Sequence, residues 1–268
     1  MPGTLEIEPL NALCNRLRVI DSACSLAEQT EMDLILHWNN GAGVVCRYED
    51  LFVVPERVKK VWNWDITRRS SRILRRLRSK VAVLAGQRTY DNQAIVDLVN
   101  AGKDPAELLH MPSVYVSTAC RFLPADSIQR HLQPVPSIAR KVEQIASRFD
   151  GSTVGVHIRR GDQGKSLEVS TLGKFITRMT RELDQNGAVW FFLATDCFDT
   201  ERIIKQHFGE RILTHSKLSV DRNDPDAIKD AVIELTCLSR TTKLLGSYYS
   251  SFSETAAQLG NIELDIVQ

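Results

Sequence analysis

Short apolar runs alternate with segments of helical periodicity along the second half of the chain. Runs rich in apolar or β-branched residues predict strands at 151–158, 188–195, 211–214 and 243–246. Apolar residues that recur at helical spacing predict helices at 172–183, 199–208, 226–238 and 253–259. Regular alternation of strand and helix is typical of a doubly wound α/β fold with a parallel sheet.

The first half of the chain begins in the same way. It has a predicted strand at 4–7, a predicted helix at 15–30 and a predicted strand at 33–37. The middle is less regular, because residues 68–80 carry seven basic side chains and prolines interrupt residues 105–136. A predicted helix at 137–149 follows the prolines. We therefore predict two domains, residues 1–130 and 131–268.

The composition of the 268 residues, 43% hydrophobic and 25% charged, is that of an ordinary globular protein. The net charge of +1 gives the whole chain no attraction to nucleic acid or an anionic membrane, so any anion-binding site has to be local. The longest apolar run, residues 188–195, is too short to cross a bilayer, and residues 1–10 show no secretory pattern, which predicts a cytoplasmic protein. Six widely spaced cysteines without a CxxC pattern predict free thiols.

The clearest chemical signal is the segment 156–162, VHIRRGD, where a predicted strand ends in a loop. Ligands bind at the carboxyl ends of the strands in open α/β sheets. Side chains alternate along a strand, so His157 and Arg159 share one face, and Arg160 follows as the strand ends. Planar guanidinium groups suit phosphate oxygens and the charge of a departing diphosphate. The alternative is a surface arginine pair that satisfies nearby carboxylates, with His157 packed in the core.

A second signal is the segment 245–254, LGSYYSSFSE, where an apolar strand ends in Gly and Ser and a run of hydroxyls begins a helix. The free amides at a helix N-terminus can hold a phosphate, and the hydroxyls of Ser250 and Ser251 would add donors. The alternative is that these serines only cap the helix.

Three carboxylates are further candidates. Asp196 follows Thr195 at the end of the most hydrophobic predicted strand, where it either faces the same sheet edge or caps the next helix. Asp230 and Glu234 lie one helical turn apart, so these like charges either face solvent or bind a ligand. Guanine is such a ligand, because it offers two adjacent N–H donors to a carboxylate.

Two other segments carry polar or basic residues. Residues 11–18 follow the first strand and begin the first helix, where Asn15 is a predicted cap and Arg16 a predicted contact to phosphate or acceptor. The basic residues of 68–80 have no aromatic side chains between them, which favours a solvated basic helix over a nucleic-acid site.

Together these motifs resemble those of the GT-B fucosyltransferases, in particular the α-1,6-fucosyltransferases, the nodulation fucosyltransferases and the protein O-fucosyltransferases. HIRRGD at 157–162 is similar to the HxRRxD motif, FLATD at 192–196 to the second motif, and residues 238–253, which end in SSFS, to the third. LCNR at 13–16 is similar to the family's Gly-x-Gly-Asn-Arg/Gln loop, with Leu and Cys in place of glycine-rich positions. The resemblance implies two Rossmann-like lobes whose parallel sheets face a central cleft, an acceptor-side lobe at 1–130 and a donor-binding lobe at 131–268.

The resemblance also implies an inverting, metal-independent transfer of a sugar, fucose in this family, from a GDP-sugar donor to a hydroxyl of a glycan or other acceptor, with no cofactor. Arg159 would bind the β-phosphate and stabilise the departing GDP, and Arg160 would support the same loop. His157 would contact the nucleotide, and Ser250 and Ser251 would hold phosphate oxygens.

Glu234 falls where the family has the acidic residue that recognises guanine, and Asp230 is the alternative. The family's proposed base is a Glu shortly after HxRRxD, which is either Glu168 or, in its place, Asp162. Because the chain lacks the stem and appended domains of the eukaryotic enzymes, it resembles a short bacterial-type member.

Two unrelated functions stay open. A nucleotide-sugar-binding module without activity would keep the arginines and need no base. A phosphate-handling hydrolase would want a nucleophile or metal ligands near Arg159, and the neighbouring sequence has no RHG, DxD or HxxE pattern.

Overall fold

The computed structural model describes residues 3–41, 43–84, 86–109, 112–126, 128–161 and 164–268. The chain divides into two compact units, Met1–Val135 and Pro136–Gln268. The division falls in the proline-containing segment, where the sequence predicted a boundary near residue 130.

The first unit contains a parallel five-stranded sheet within its described residues. The strands lie in the order β3-β2-β1-β5-β4 and are β1 Thr4–Pro9, β2 Asp33–Asn40, β3 Val58–Asp65, β4 Arg88–Tyr90 and β5 Ser113–Thr118. The helices of this unit are α1 Leu13–Gln29, α2 Arg69–Leu84, α3 Asn92–Asn100 and α4 Ile128–His131, with 3-10 turns at Tyr48–Asp50 and Pro105–Leu109.

At its central strand β1, this sheet has one apolar face and one polar face. Leu5 and Ile7 are fully buried and point to one face, whereas Glu6 and Glu8, also buried, point to the opposite face because side chains alternate along a strand. Helix α2 lies on the polar face, since its arginines form ion pairs with both glutamates.

The second unit contains a second parallel five-stranded sheet, in the order β10-β9-β6-β7-β8. The strands are β6 Thr153–Ile158, β7 Trp190–Thr195, β8 Ile212–Thr214, β9 Lys243–Ser247 and β10 Glu263–Val267. The helices are α5 Pro136–Ala146, α6 Gly164–Val169, α7 Leu172–Gln185, α8 Phe198–Phe208, α9 Pro225–Leu238 and α10 Ser251–Gly260, with a 3-10 turn at Gly209–Arg211.

In the second unit, the carboxyl ends of three strands lie together at one end of the sheet, which we call the sheet edge. Val156 and Ile158 of β6 pack with Leu193 of β7 in an apolar cluster that includes residues of α7. In the sheet register, Ile158 lies beside Thr195, and His157 lies beside Gly246 of β9. The carboxyl ends of β6, β7 and β9 are therefore neighbours.

The predicted α/β class, the parallel sheets and the strands and helices of the second half are confirmed. Four strands, β3, β4, β5 and β10, were not predicted, because they are short or carry polar side chains between apolar ones. The six cysteines are free thiols, as predicted. Within the described part of the chain, no helix has both the length and the apolar character needed to cross a membrane.

Candidate functional site

The loop after β6 is tied to the end of β9. The backbone N–H of Arg159 donates to Ser247 Oγ at 2.9 Å, and that hydroxyl donates to the carbonyl of His157 at 3.2 Å. Ser247 is fully buried, so both bonds are shielded from water. The arginine pair therefore leaves the sheet from a fixed strand end.

Asp196 holds the same loop from the end of β7. Its carboxylate accepts the backbone N–H of Arg160 at 2.6 Å and that of Gly161 at 3.0 Å. A Cβ added at Gly161 would lie 2.8 Å from Asp196 Oδ2, so only glycine allows this approach. The cap of α8 is Cys197, whose side chain makes no capping bond. Asp196 thus positions the arginine loop, and the prediction that it might cap the next helix is wrong.

His157 is a packed, neutral imidazole. Its Nδ1 lies 2.8 Å from Ser253 Oγ, and its ring stacks on Phe252 with centroids 4.6 Å apart. Gly246 permits this approach of α10, since a Cβ added there would lie 2.8 Å from the Cβ of Ser253. Burial lowers the pKa of His157 to about 4. The ring therefore fixes α10 against β6, which matches the core-histidine alternative.

We expect His157 by itself to destabilise the second unit as the pH falls from 6.5 to about 4, while Glu234, whose pKa burial raises to about 7, acts in the opposite direction as it takes up a proton. In this window the unfolded imidazole of His157 binds a proton that the folded one does not, so acid favours unfolding, by about 3 kcal/mol over the whole window. Urea unfolding at a series of pH values measures the effect. His157→Asn should remove this contribution, so that the variant gains stability relative to the unaltered chain as the pH falls through this window, whereas His207→Asn, at an exposed histidine of α8, should not. Identical profiles for His157→Asn and the unaltered chain would contradict the assignment.

The N-terminus of α10 lies three residues beyond the end of β9. Ser250 is its cap, and the Ser250 hydroxyl accepts the N–H of Ser253 at 3.5 Å, so the capping role is confirmed. Ser251, the first helical residue, is half-buried. Tyr249, with φ of 54°, has a left-handed backbone that is costly for a side chain of this size. Such strain is common at binding sites, and the free amides of α10 emerge at this turn.

Glu234 and Asp230 each have their own basic side chain as a partner. Lys217 donates to the carbonyl of Thr195 at 2.8 Å and forms a buried ion pair with Glu234. Burial raises the pKa of Glu234 to about 7, although the ammonium of Lys217 lowers it. Asp230 is instead bonded to His215 Nε2 at 2.7 Å. The sequence interpretation missed both partners, Lys217 and His215, whose only signal is their position shortly after β8.

Two buried polar atoms at this sheet edge have no hydrogen-bond partner among the described residues. They are Nη2 of Arg160 and Oγ1 of Thr195. Nearly all buried polar atoms in native proteins are hydrogen-bonded to protein or to ordered water, so these two atoms are free to bond a water or a ligand. Both atoms belong to residues whose backbone is bonded within the site, Arg160 to Asp196 and Thr195 to Lys217.

Asn15 and Arg16 belong to the first unit. Asn15 is the third residue of α1, whose cap is Ala12, so the predicted capping role is wrong. The Arg16 guanidinium donates to the carbonyls of Asn11 at 2.7 Å and Asn39 at 2.5 Å, and its burial lowers its pKa to about 10. Arg16 therefore braces the turn between β1 and α1.

The two candidate bases are Glu168 and Asp162. Glu168 lies on the short helix α6 and is exposed. Asp162 lies outside the described residues.

The remaining residues form an anion-binding arrangement. Arg159, Arg160, the ammonium of Lys217 and the N-terminus of α10 supply positive charge at the carboxyl edge of one parallel sheet. Asp196 and Glu234 orient these groups and offset part of the charge. Among the described residues, no three His, Cys, Asp or Glu side chains are grouped so that they could hold a metal ion.

The fold resembles that of solved fucosyltransferase structures over nearly the whole chain. NodZ α-1,6-fucosyltransferase, soaked with GDP-fucose, has a TM-score of 0.66 at 18% identity and covers 97% of this chain and 93% of that one. A variant of Arabidopsis thaliana FUT1 in complex with GDP has a TM-score of 0.65 at 13% identity and covers 99% and 70%. POFUT1 in complex with GDP-fucose has a TM-score of 0.62 at 14% identity and covers 99% and 98%.

These similarities confirm the predicted fold as that of the GT-B fucosyltransferases. No family model matches the sequence, and no curated protein matches it.

Proposed function

We propose that this protein is a glycosyltransferase that moves fucose from GDP-fucose to a hydroxyl of a glycan or other acceptor. The observation that carries the proposal is the convergence of the Asp196-held arginine loop and the α10 N-terminus at one sheet edge. The fold adds support, because the similar solved structures are a fucosyltransferase soaked with GDP-fucose and complexes with GDP or GDP-fucose. The second unit would bind the donor, and the first unit the acceptor.

The phosphates of the donor would lie at the carboxyl edge of β6, β7 and β9. Arg159 would pair with the β-phosphate, and the hydroxyls of Ser250 and Ser251 and the amides of α10 would bind its oxygens. Arg160 would support the loop, and the unpaired Thr195 hydroxyl lies at the same edge. His157 would act on the nucleotide through α10, whose first turn it holds in place.

The reaction would be a single displacement that inverts the anomeric carbon. The acceptor oxygen forms a bond to that carbon while the bond to the β-phosphate oxygen breaks, and the electron pair leaves with GDP. A carboxylate, either Glu168 or Asp162, would take the proton of the acceptor hydroxyl. Arg159 and the helix N-terminus would stabilise the charge that develops on the departing diphosphate.

Glu234 would read the guanine base. Its carboxylate can accept the N1–H and N2–H of guanine, whereas adenine presents an acceptor at N1. Lys217 already holds one oxygen of this carboxylate, which fixes its orientation. Asp230 stays the alternative, although its carboxylate is bonded to His215.

A panel of nucleotides tests the donor. A ligand that binds only the folded state stabilises it by mass action, by about 2.7 kcal/mol at a concentration 100 times its dissociation constant. We expect GDP to raise the melting temperature more than UDP, CMP or ADP at equal concentration. Equal shifts for GDP and ADP would contradict the guanine assignment.

Turnover of GDP-fucose separates the transferase from the two alternatives. Release of GDP only when an acceptor is present would indicate a transferase and not a binding module. Release of inorganic phosphate would indicate a hydrolase.

We also expect activity to survive a chelator. In metal-dependent sugar transfer, a divalent ion neutralises the leaving diphosphate, and its removal stops turnover. Here Arg159, Ser250, Ser251 and the amides of α10 would supply that charge. The measurement compares GDP-fucose turnover in excess EDTA with turnover in added Mg²⁺ or Mn²⁺. Complete loss in EDTA, restored by the metal, would contradict the metal-independent mechanism.

A further inference from the structure

Helix α2 turns its apolar side away from the protein. Five aliphatic side chains fall within a sector of about 100° on this helix, at the 100° per residue of an α-helix. Their exposed fractions are 46% for Ile73, 59% for Leu74, 54% for Leu77, 64% for Val81 and 88% for Leu84. A surface helix normally points such a stripe at the core. We call these five residues the apolar stripe.

Ion pairs attach the opposite side of α2 to the sheet. Arg75 pairs with Glu8 at 2.5 Å, and Arg78 pairs with Glu6 at 2.6 Å and lies over the ring of Trp62 at 5.2 Å. Both glutamates are buried on the polar face of β1. The buried carboxylates thus pair with the arginines on the inner side of the helix, and these ion pairs do not involve the apolar stripe. The prediction of a fully solvated basic helix is wrong for these two arginines.

The edge of the apolar stripe is strongly basic. Arg69, Arg72, Arg76 and Lys80 are exposed and lie side by side along it. From residue 66 to residue 90 the sequence contains no aspartate or glutamate, although the whole chain has a net charge of only +1. The positive charge is therefore concentrated where the apolar side chains are exposed.

We propose that α2 binds the surface of an anionic lipid bilayer. The apolar stripe would enter the boundary between headgroups and acyl chains, and the basic edge would contact lipid phosphates. Exposed aliphatic side chains bordered by Lys and Arg are the two features of interfacial helices. Nucleic acid would use the basic edge but not the stripe. In an antiparallel two-fold contact between two copies, both basic edges would lie on the same side of the contact, which is repulsive.

Sedimentation of the full chain with lipid vesicles tests the proposal. We expect binding to vesicles that contain phosphatidylglycerol, little binding to pure phosphatidylcholine, and release at high salt. Leu74→Ser/Leu77→Ser should lower the partition coefficient about tenfold or more, because two apolar side chains lose their burial. Arg72→Gln/Arg76→Gln should lower it mainly at low salt. The matched control is Leu218→Ser in the second unit, where an equally aliphatic side chain is 99% exposed.

The outcomes separate this proposal from the proposed function. Vesicle binding needs no nucleotide, and the melting shift caused by GDP should be the same in all these variants and in the unaltered chain. The proposal is overturned by absence of binding to anionic vesicles, or by equal binding of Leu74→Ser/Leu77→Ser and Leu218→Ser. It is also overturned if the stripe variant changes only the molecular mass in light scattering, since the stripe would then join two copies.

Discussion

Replacement of Arg159 by alanine should lower the rate of fucose transfer on the order of 100-fold, which corresponds to about 3 kcal/mol of transition-state stabilisation. The guanidinium would pair with a diphosphate whose charge increases as the sugar leaves, so its loss weakens the transition state more than the ground state. The fold should survive, because the substitution keeps the backbone N–H of Arg159, which holds the loop to Ser247.

The measurement is kcat and KM for GDP-fucose with purified protein. Arg159→Lys should recover only part of the rate, because an ammonium does not reproduce the two-pronged guanidinium. Arg202→Ala is the matched control, since Arg202 is an exposed arginine of α8 that pairs with Asp199. Near-normal kcat in Arg159→Ala would exclude this residue from the phosphate site.

Glu234→Leu should lower the free energy of unfolding by about 3 kcal/mol, which is typical when one partner of a buried ion pair is removed. The side chains of Glu234 and Lys217 are only 9% and 4% exposed, so the substitution leaves a buried ammonium without its carboxylate. Lys217→Met in the same chain should recover most of the loss, because an apolar pair of similar size replaces the ion pair. Chemical denaturation of both single variants and the double variant measures the coupling.

The double variant also isolates the role of Glu234 in guanine recognition. A single substitution at Glu234 mixes lost stability with lost binding. The double variant should be folded, and its further loss of the Lys217 bond to the Thr195 carbonyl should affect GDP and ADP alike. We expect it to lose the preference for GDP over ADP in the melting experiment. A preserved preference would assign the ion pair to stability alone and would leave Asp230 as the reader of the base.

The helices and strands of the second half could be predicted because each carries its own pattern. β7 is a continuous apolar run and α7 has a clear helical period. From residue 151 onward, every predicted end lies within two residues of the observed one, and the helix predicted at 137–149 ends three residues earlier, at Ala146. β5 and β10 could not be predicted, because a strand with polar side chains at alternate positions depends on its neighbours for pairing. The first lies between prolines and the second at a sheet edge.

The candidate site was predictable only where it follows a strand in the chain. His157 lies near the end of an apolar run, and Arg159, Asp196 and Ser250 follow such runs, so the rule for strand ends finds them. Lys217 lies in an irregular loop, and only the fold brings it to Thr195 and Glu234. Whether Asp196 caps a helix or holds a loop was likewise undecided, because both roles use the same residue at the same place in the sequence.

Helix α2 shows the same division between sequence and structure. Its period, its basic charge and its lack of acidic residues are properties of the sequence alone. Which side faces outward depends on β1, where alternation places Glu6 and Glu8 beneath the helix. An unpaired buried carboxylate costs more free energy than an aliphatic stripe that stays exposed to water. The arginines therefore face the sheet, and the aliphatic side chains face outward.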